Sequence, residues 1–128
     1  MRVVRIYHAG RDPAHRSRDR ALVRAGVDVT LVVPSAWPGP GGGLAGEPFD
    51  VVEVDVARSG DVNRHRWQGD LAALLDRLAP DVVDVHEEPV SVAGRQWLAA
   101  AGTRPVVMYS AQNLDKRWPP PATGARRR

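Results

Sequence analysis

Five short runs of β-branched residues recur along the chain, and three of them are closed by a residue that stops a strand. Val3, Val4, Ile6 and Tyr7 give way to His8, Ala9 and Gly10; Val27, Val29, Leu31, Val32 and Val33 end at Pro34. Val51, Val52, Val54 and Val56 alternate around Glu53 and Asp55 in the third run. The fourth, Val82, Val83 and Val85, stops at His86-Glu87-Glu88-Pro89, and the fifth occupies residues 105–109. Runs of this length and composition read as strands, the third with one wetter face suited to a sheet edge.

Helical patterns fill the intervals. Over residues 14–25, Ala14, Ala21, Leu22 and Ala25 form a thin apolar stripe on an Arg-rich helix that Gly26 terminates. Trp67, Leu71, Leu74, Leu75 and Leu78 recur at spacings of three and four, predicting a second helix ended by Pro80. A third spans residues 91–101, with Val92, Trp97 and Leu98 inward and Gly102 at its end. Residues 35–48 are too rich in Gly and Pro for regular structure. Alternating strands and helices joined by right-handed crossovers predict an α/β fold. The expected form is a Rossmann-like doubly wound parallel sheet, strand order 3-2-1-4-5, with a loop between the second and third strands.

A chain of 128 residues, 43% hydrophobic and 26% charged, suits one folded core. No apolar run approaches the roughly 18 residues needed to span a bilayer, and no signal-peptide pattern follows Met1, so a cytoplasmic location is expected. The absence of cysteine excludes disulfides, thiolate metal sites and thiol nucleophiles. The net charge of +3 comes from dispersed arginines, Lys116 being the one lysine, so no nucleic-acid partner is expected. Peripheral contact with an anionic membrane surface is the electrostatic alternative.

In such a sheet, ligands bind beyond the carboxyl ends of the strands, where strand order reverses. That places His8 and His86 at one crevice mouth, with Arg11, Glu87, Glu88, Gln112 and Asn113 on the same edge. The set suits a hydroxyl-rich or phosphorylated ligand, with His and Glu as hydrogen-bond partners or proton carriers. The competing reading is that strand ends are polar because they meet water. His8, His86 and Glu87 lack the short spacing of a metal motif, and no metal is expected. Residues 8–15 lack the paired glycines of a dinucleotide site, and no Gly-Lys-Ser/Thr phosphate loop follows a strand. Trp67 and Trp97 belong to the core on this reading, whereas Trp37 and Trp118 fall in loops.

Two segments carry a family resemblance. Asp81-Val-Val-Asp-Val-His-Glu-Glu-Pro89, followed by Ser91-Val-Ala-Gly-Arg-Gln96, resembles the strand-to-helix junction in the N-terminal domains of glycosyltransferase family 4. Tyr109-Ser-Ala-Gln-Asn-Leu-Asp-Lys-Arg-Trp-Pro-Pro-Pro121 is similar to the stretch that follows the fifth strand in one branch of that family. The likeness covers residues 1–121 as one domain, and residues 122–128 are expected to form a disordered basic tail.

The resemblance implies one half of a GT-B fold, in which two Rossmann-like halves face each other across a cleft. The first half binds the acceptor and the second a nucleotide sugar, for metal-independent transfer with retention of configuration. It places His86 at the cleft beside the transferred sugar, as the catalytic candidate. Glu87, Glu88, Gln112, Asn113 and Lys116 become substrate-binding candidates, and Gly10 and Arg11 stand where many relatives carry a Gly-Gly pair. It implies a sugar or glycan acceptor, with a separate donor-binding chain as an alternative partner, and no cofactor besides the nucleotide-sugar substrate. The paired glutamates of the second half, eight residues apart, have no counterpart here, so a truncated reading frame and an inactive isolated chain are expected. The alternative function is a non-catalytic glycan- or partner-binding module; an unrelated flavodoxin-like domain stands third.

Overall fold

The computed structural model describes residues 1–109. In chain order the elements are β1 (Arg2–Ile6), α1 (Ser17–Arg24), β2 (Asp28–Pro34), β3 (Asp50–Val54), β4 (Val56–Ala57), β5 (Arg66–Trp67), α2 (Leu71–Leu78), β6 (Val82–Val85), α3 (Val92–Ala101) and β7 (Val106–Met108). Five of the strands form one parallel sheet in the order β3-β2-β1-β6-β7. This is the expected doubly wound order, with β3 at an edge and the reversal between β1 and β6.

Strand periodicity divides the apolar residues between two cores. Val4 and Ile6 of β1, Val32, Val83 and Val85 pack on one face against Leu71, Leu74 and Leu75 of α2, and Ala93, Trp97 and Ala101 of α3. On the other face Val29, Leu31, Val33 and Phe49 meet Leu22 and Val23 of α1. Registration is tight: Ile6 lies opposite Val32 in β2 and Val85 in β6. No helix is long and apolar enough to cross a membrane among the described residues.

Four local expectations are corrected. The first helix begins at Ser17, after 3-10 turns at His8–Arg11 and Pro13–His15. Asp12 accepts a hydrogen bond from the Ala14 amide and starts a separate turn with Pro13, which delays the α-helix. Its stripe also differs: Ala14, Ala21 and Ala25 are exposed, and the helix buries Asp19 instead. The reason is Arg5, which points from β1 towards this helix and needs a countercharge.

Trp67 lies in β5, which pairs antiparallel with β4 through Val56 opposite Trp67, so it precedes α2 and does not belong to it. Gly69, at φ 88°, and Asp70, whose carboxylate caps the Ala73 amide, break the pattern before Leu71. Trp67 is nonetheless buried, its backbone clamped by the Gln96 amide at 2.8 Å on both N–H and C=O. In α3, capped by Ser91 on the Gly94 amide, Leu98 is 49% exposed. Ala93, Trp97 and Ala101 take the inward face at a four-residue spacing, and Leu98, one position on from Trp97, is turned about 100° around the helix towards solvent.

Candidate functional site

The chain leaves β1 and β6 side by side. The His86 amide donates to Ile6 O at 2.8 Å and the Tyr7 amide to Val32 O at 3.1 Å, so the sheet still holds the first residues beyond each strand. Alternation of side chains then sorts four functional groups into two pairs, Tyr7 with His86 and His8 with Glu87.

Tyr7 and His86 stack, with ring centroids 3.8 Å apart and planes within 5°, and the edge of Tyr109 approaches His86 at 4.5 Å. Beneath them Arg5, fully buried, donates to Asp19 at 2.7 Å, to Asp84 at 3.1 Å and to Nδ1 of His86 at 2.9 Å. A guanidinium only donates, so Nδ1 of His86 is the acceptor and Nε2 carries the hydrogen. Burial, reinforced by the Arg5 and Arg18 charges, lowers the His86 pKa to about 4. Burial likewise raises the Tyr7 phenol, and it raises Asp19 despite the Arg5 partner. Tyr7, His8, Val62, His86, Glu88 and Tyr109 surround a depression of about 150 Å³, with Glu87 alongside.

Glu87 is buried on the other side of the rim. Its Oε2 accepts from the His8 amide at 2.9 Å and its Oε1 lies 2.7 Å from His8 Nδ1. His65, also buried, brings Nε2 to 3.7 Å from the same Oε1, an ion-pair distance beyond hydrogen-bond length. Burial pushes the Glu87 carboxyl up, but the two imidazoles outweigh it and hold the group below its ordinary value. Burial depresses His65, and Glu87 with the backbone carbonyls of Asp61 and Val62 more than reverses that. Trp37 packs on both imidazoles, 4.7 Å from His8 and 4.8 Å from His65. A second depression, of about 170 Å³, opens beside His8, Arg11, Asp12, His15 and Trp37.

His8, His86, Glu87 and Glu88 thus meet at the strand reversal. Arg11 faces the second depression, with its guanidinium on Glu53 at 3.1 Å and Pro34 O at 3.4 Å. Gly10 is placed for packing. Its amide donates to Tyr7 O, its carbonyl accepts from Arg16, and an added Cβ would stand 3.1 Å from Leu31 Cδ2. Gln112, Asn113, Lys116, Trp118 and residues 122–128 lie outside the described residues. Trp67 and Trp97 are core residues, 1% and 0% exposed.

Four contributors escaped sequence reasoning: Tyr7 and Tyr109, read only as strand residues, and Arg5 and His65. Arg5 carried a signal, a lone charge inside a Val-rich run of a central strand. His65 carried a fainter one, standing two residues before a core Trp. The triad weighed from sequence, His8 with His86 and Glu87, does not assemble, because His86 turns to the Arg5 side and His65 takes the third place. No family model matches this sequence, and no curated protein matches it.

Proposed function

We propose that the chain is the N-terminal, acceptor-binding half of a retaining glycosyltransferase of GT-B type, with a sugar or glycan acceptor in the depression beside Tyr7, His86 and Tyr109. The observation that carries this reading is the stacked Tyr7–His86 pair at the strand reversal, 3.8 Å between rings. Aromatic faces suit the C–H surface of a sugar ring, and a neutral imidazole with Nε2–H directed away from Arg5 suits a hydroxyl. His86 therefore acts as a hydrogen-bond partner to the sugar. At neutral pH a group with its pKa near 4 is no proton donor of imidazolium type. The likeness of residues 81–96 to family 4 glycosyltransferases points the same way.

Donor binding falls on this reading to a second domain outside these 128 residues, in line with the need for charged groups that steady a departing diphosphate. The chain by itself is then expected to transfer no sugar. A cytoplasmic location belongs to the same reading, with a basic surface able to approach a membrane-linked acceptor.

The test is a 1H–15N titration of the chain with methyl glycosides and sugar phosphates, alongside His86→Ala. Binding on the order of 1 mM, about −4.1 kcal/mol, is expected, with shifts centred on Tyr7, His86 and Tyr109 and at least about a tenfold loss in the variant. Equal affinities in both proteins, or no shifts with any glycoside, would remove the acceptor site. Binding that never leads to transfer once a donor-binding domain is supplied would favour a non-catalytic glycan-binding module.

A further inference from the structure

His65 closes the turn at residues 61–65 and is sealed from solvent. Its Nδ1 lies 2.9 Å from Asp61 O and 3.1 Å from Val62 O. Carbonyl oxygens only accept, so Nδ1 carries the hydrogen and, in the neutral ring, Nε2 keeps its lone pair. That nitrogen is buried with no hydrogen-bond partner among the described residues. What it faces is another electron-rich atom, Oε1 of Glu87 at 3.7 Å. A lone pair set against a carboxylate between two buried side chains calls for a cation between them. His8 supplies a third donor, and ligand atoms of His8, His65 and Glu87 all lie within 4.8 Å of one another.

We propose that His8, His65 and Glu87 bind one divalent transition-metal ion of the zinc class. Bonds of about 2.0–2.2 Å in tetrahedral array set neighbouring donors about 3.4 Å apart. The His65–Glu87 spacing of 3.7 Å is close to that value, and too long for a hydrogen bond. The His8–Glu87 pair, at 2.7 Å, must open by under about 1 Å as the metal replaces the proton between them. Outer contacts already orient the ligands. Two carbonyls fix the His65 ring, and the His8 amide holds Oε2 of Glu87 at 2.9 Å.

Trp37 covers both imidazoles, while the His8 side chain, 16% exposed, leaves a way in and room for water as fourth ligand. The ion ties the segment after β1, the turn before β5 and the segment after β6 into one rim. It takes no part in the sugar chemistry proposed above and does not depend on it, since His86 lies on the other side and is not a ligand. It also departs from the metal-free expectation drawn from the sequence, which lacked His65 as a ligand.

The experiment titrates chelator-treated chain with Zn2+, read by calorimetry and thermal melting, and with Co2+, read by its visible spectrum. One ion per chain, a raised Tm and an intense tetrahedral-type Co2+ spectrum are expected. His65→Gln or Glu87→Gln should weaken zinc binding by about 100-fold or more, because even outer-shell partners are worth up to that factor. His15→Gln, changing an exposed histidine outside the cluster, should leave it unchanged. Absence of stoichiometric uptake, uptake that survives His65→Gln, or uptake that falls with His15→Gln would overturn the site. Should the ligand variants not fold, long-range 1H–15N spectra of the unsubstituted chain decide. Zinc is expected to move the ring nitrogens of His65 and His8, and unmoved rings would equally overturn it.

Discussion

Arg5 Nη1 lies 2.7 Å from Asp19 Oδ2 with both side chains closed off from solvent, joining the central strand to α1 on that face. The same guanidinium reaches Asp84 and His86, so one buried cation links sheet, helix and candidate site. Burying such a pair gains little net stability, but removing one partner leaves the other desolvated and unpaired.

Asp19→Ala is therefore expected to destabilise the fold by about 3–5 kcal/mol. The double variant Arg5→Met with Asp19→Leu should cost much less than the two single changes summed. Urea denaturation of the parent chain, Asp19→Ala, the two single changes and the double variant measures both. Additive losses would show that the pair is not coupled.

His86 should remain neutral well below the usual imidazole range. The unfolded chain takes up its proton near pH 6.5, while the folded chain holds out to about 4. The unfolded state therefore binds more protons in that window. The stabilising contribution is full above about pH 6.5 and is lost as pH falls towards 4. Imidazole proton shifts in metal-free protein give the titration directly, and a midpoint near 6.5 would contradict the burial of His86 and its contact with Arg5.

Glu47 bridges Arg16, at 3.1 Å, and Arg20, at 2.8 Å, pinning the loop between β2 and β3 to the start of α1. The Arg20 hydrogen bond, with help from Arg16, lowers its pKa despite partial burial. A depressed carboxyl contributes stability above its unfolded pKa, about 4.3, that disappears as pH falls through the lower folded value. Glu47→Gln should accordingly melt earlier than the parent chain at pH 7, with the gap closing in acid below about pH 4. Thermal melts across pH test this, and a gap that is constant with pH would exclude the ionic origin.

Gly94→Ala should destabilise by about 1–3 kcal/mol, the range for overpacking. A Cβ there would stand 2.3 Å from Glu88 O and 3.1 Å from Glu88 C, backbone atoms with no room to yield. Because the affected segment carries Glu87 and Glu88, amide shifts should spread to His8 and His65. Shifts confined to α3 would show that the helix start and the rim move independently.

Much of the fold was legible. Val-rich runs marked all five strands of the main sheet, three of them ended by His or Pro, and parallel-crossover rules ordered them. The β4–β5 ribbon was not, since two-residue strands have too little periodicity to register, and Trp67 fell by chance at a helical spacing from Leu71. Of the site, His8, His86, Glu87 and Glu88 could be gathered because all follow strands at the reversal. Which of them would pair could not.

The order of strands, the two-sided core and the edge that collects polar residues were written in the sequence, because they follow from local alternation and chain connectivity. The partners of Arg5, the turning of His86 away from Glu87, and the arrival of His65 beside it were settled only by tertiary structure. A charged residue can be buried only where other segments bring it compensating groups, and those groups come from positions 14, 79 and 81 residues distant along the chain.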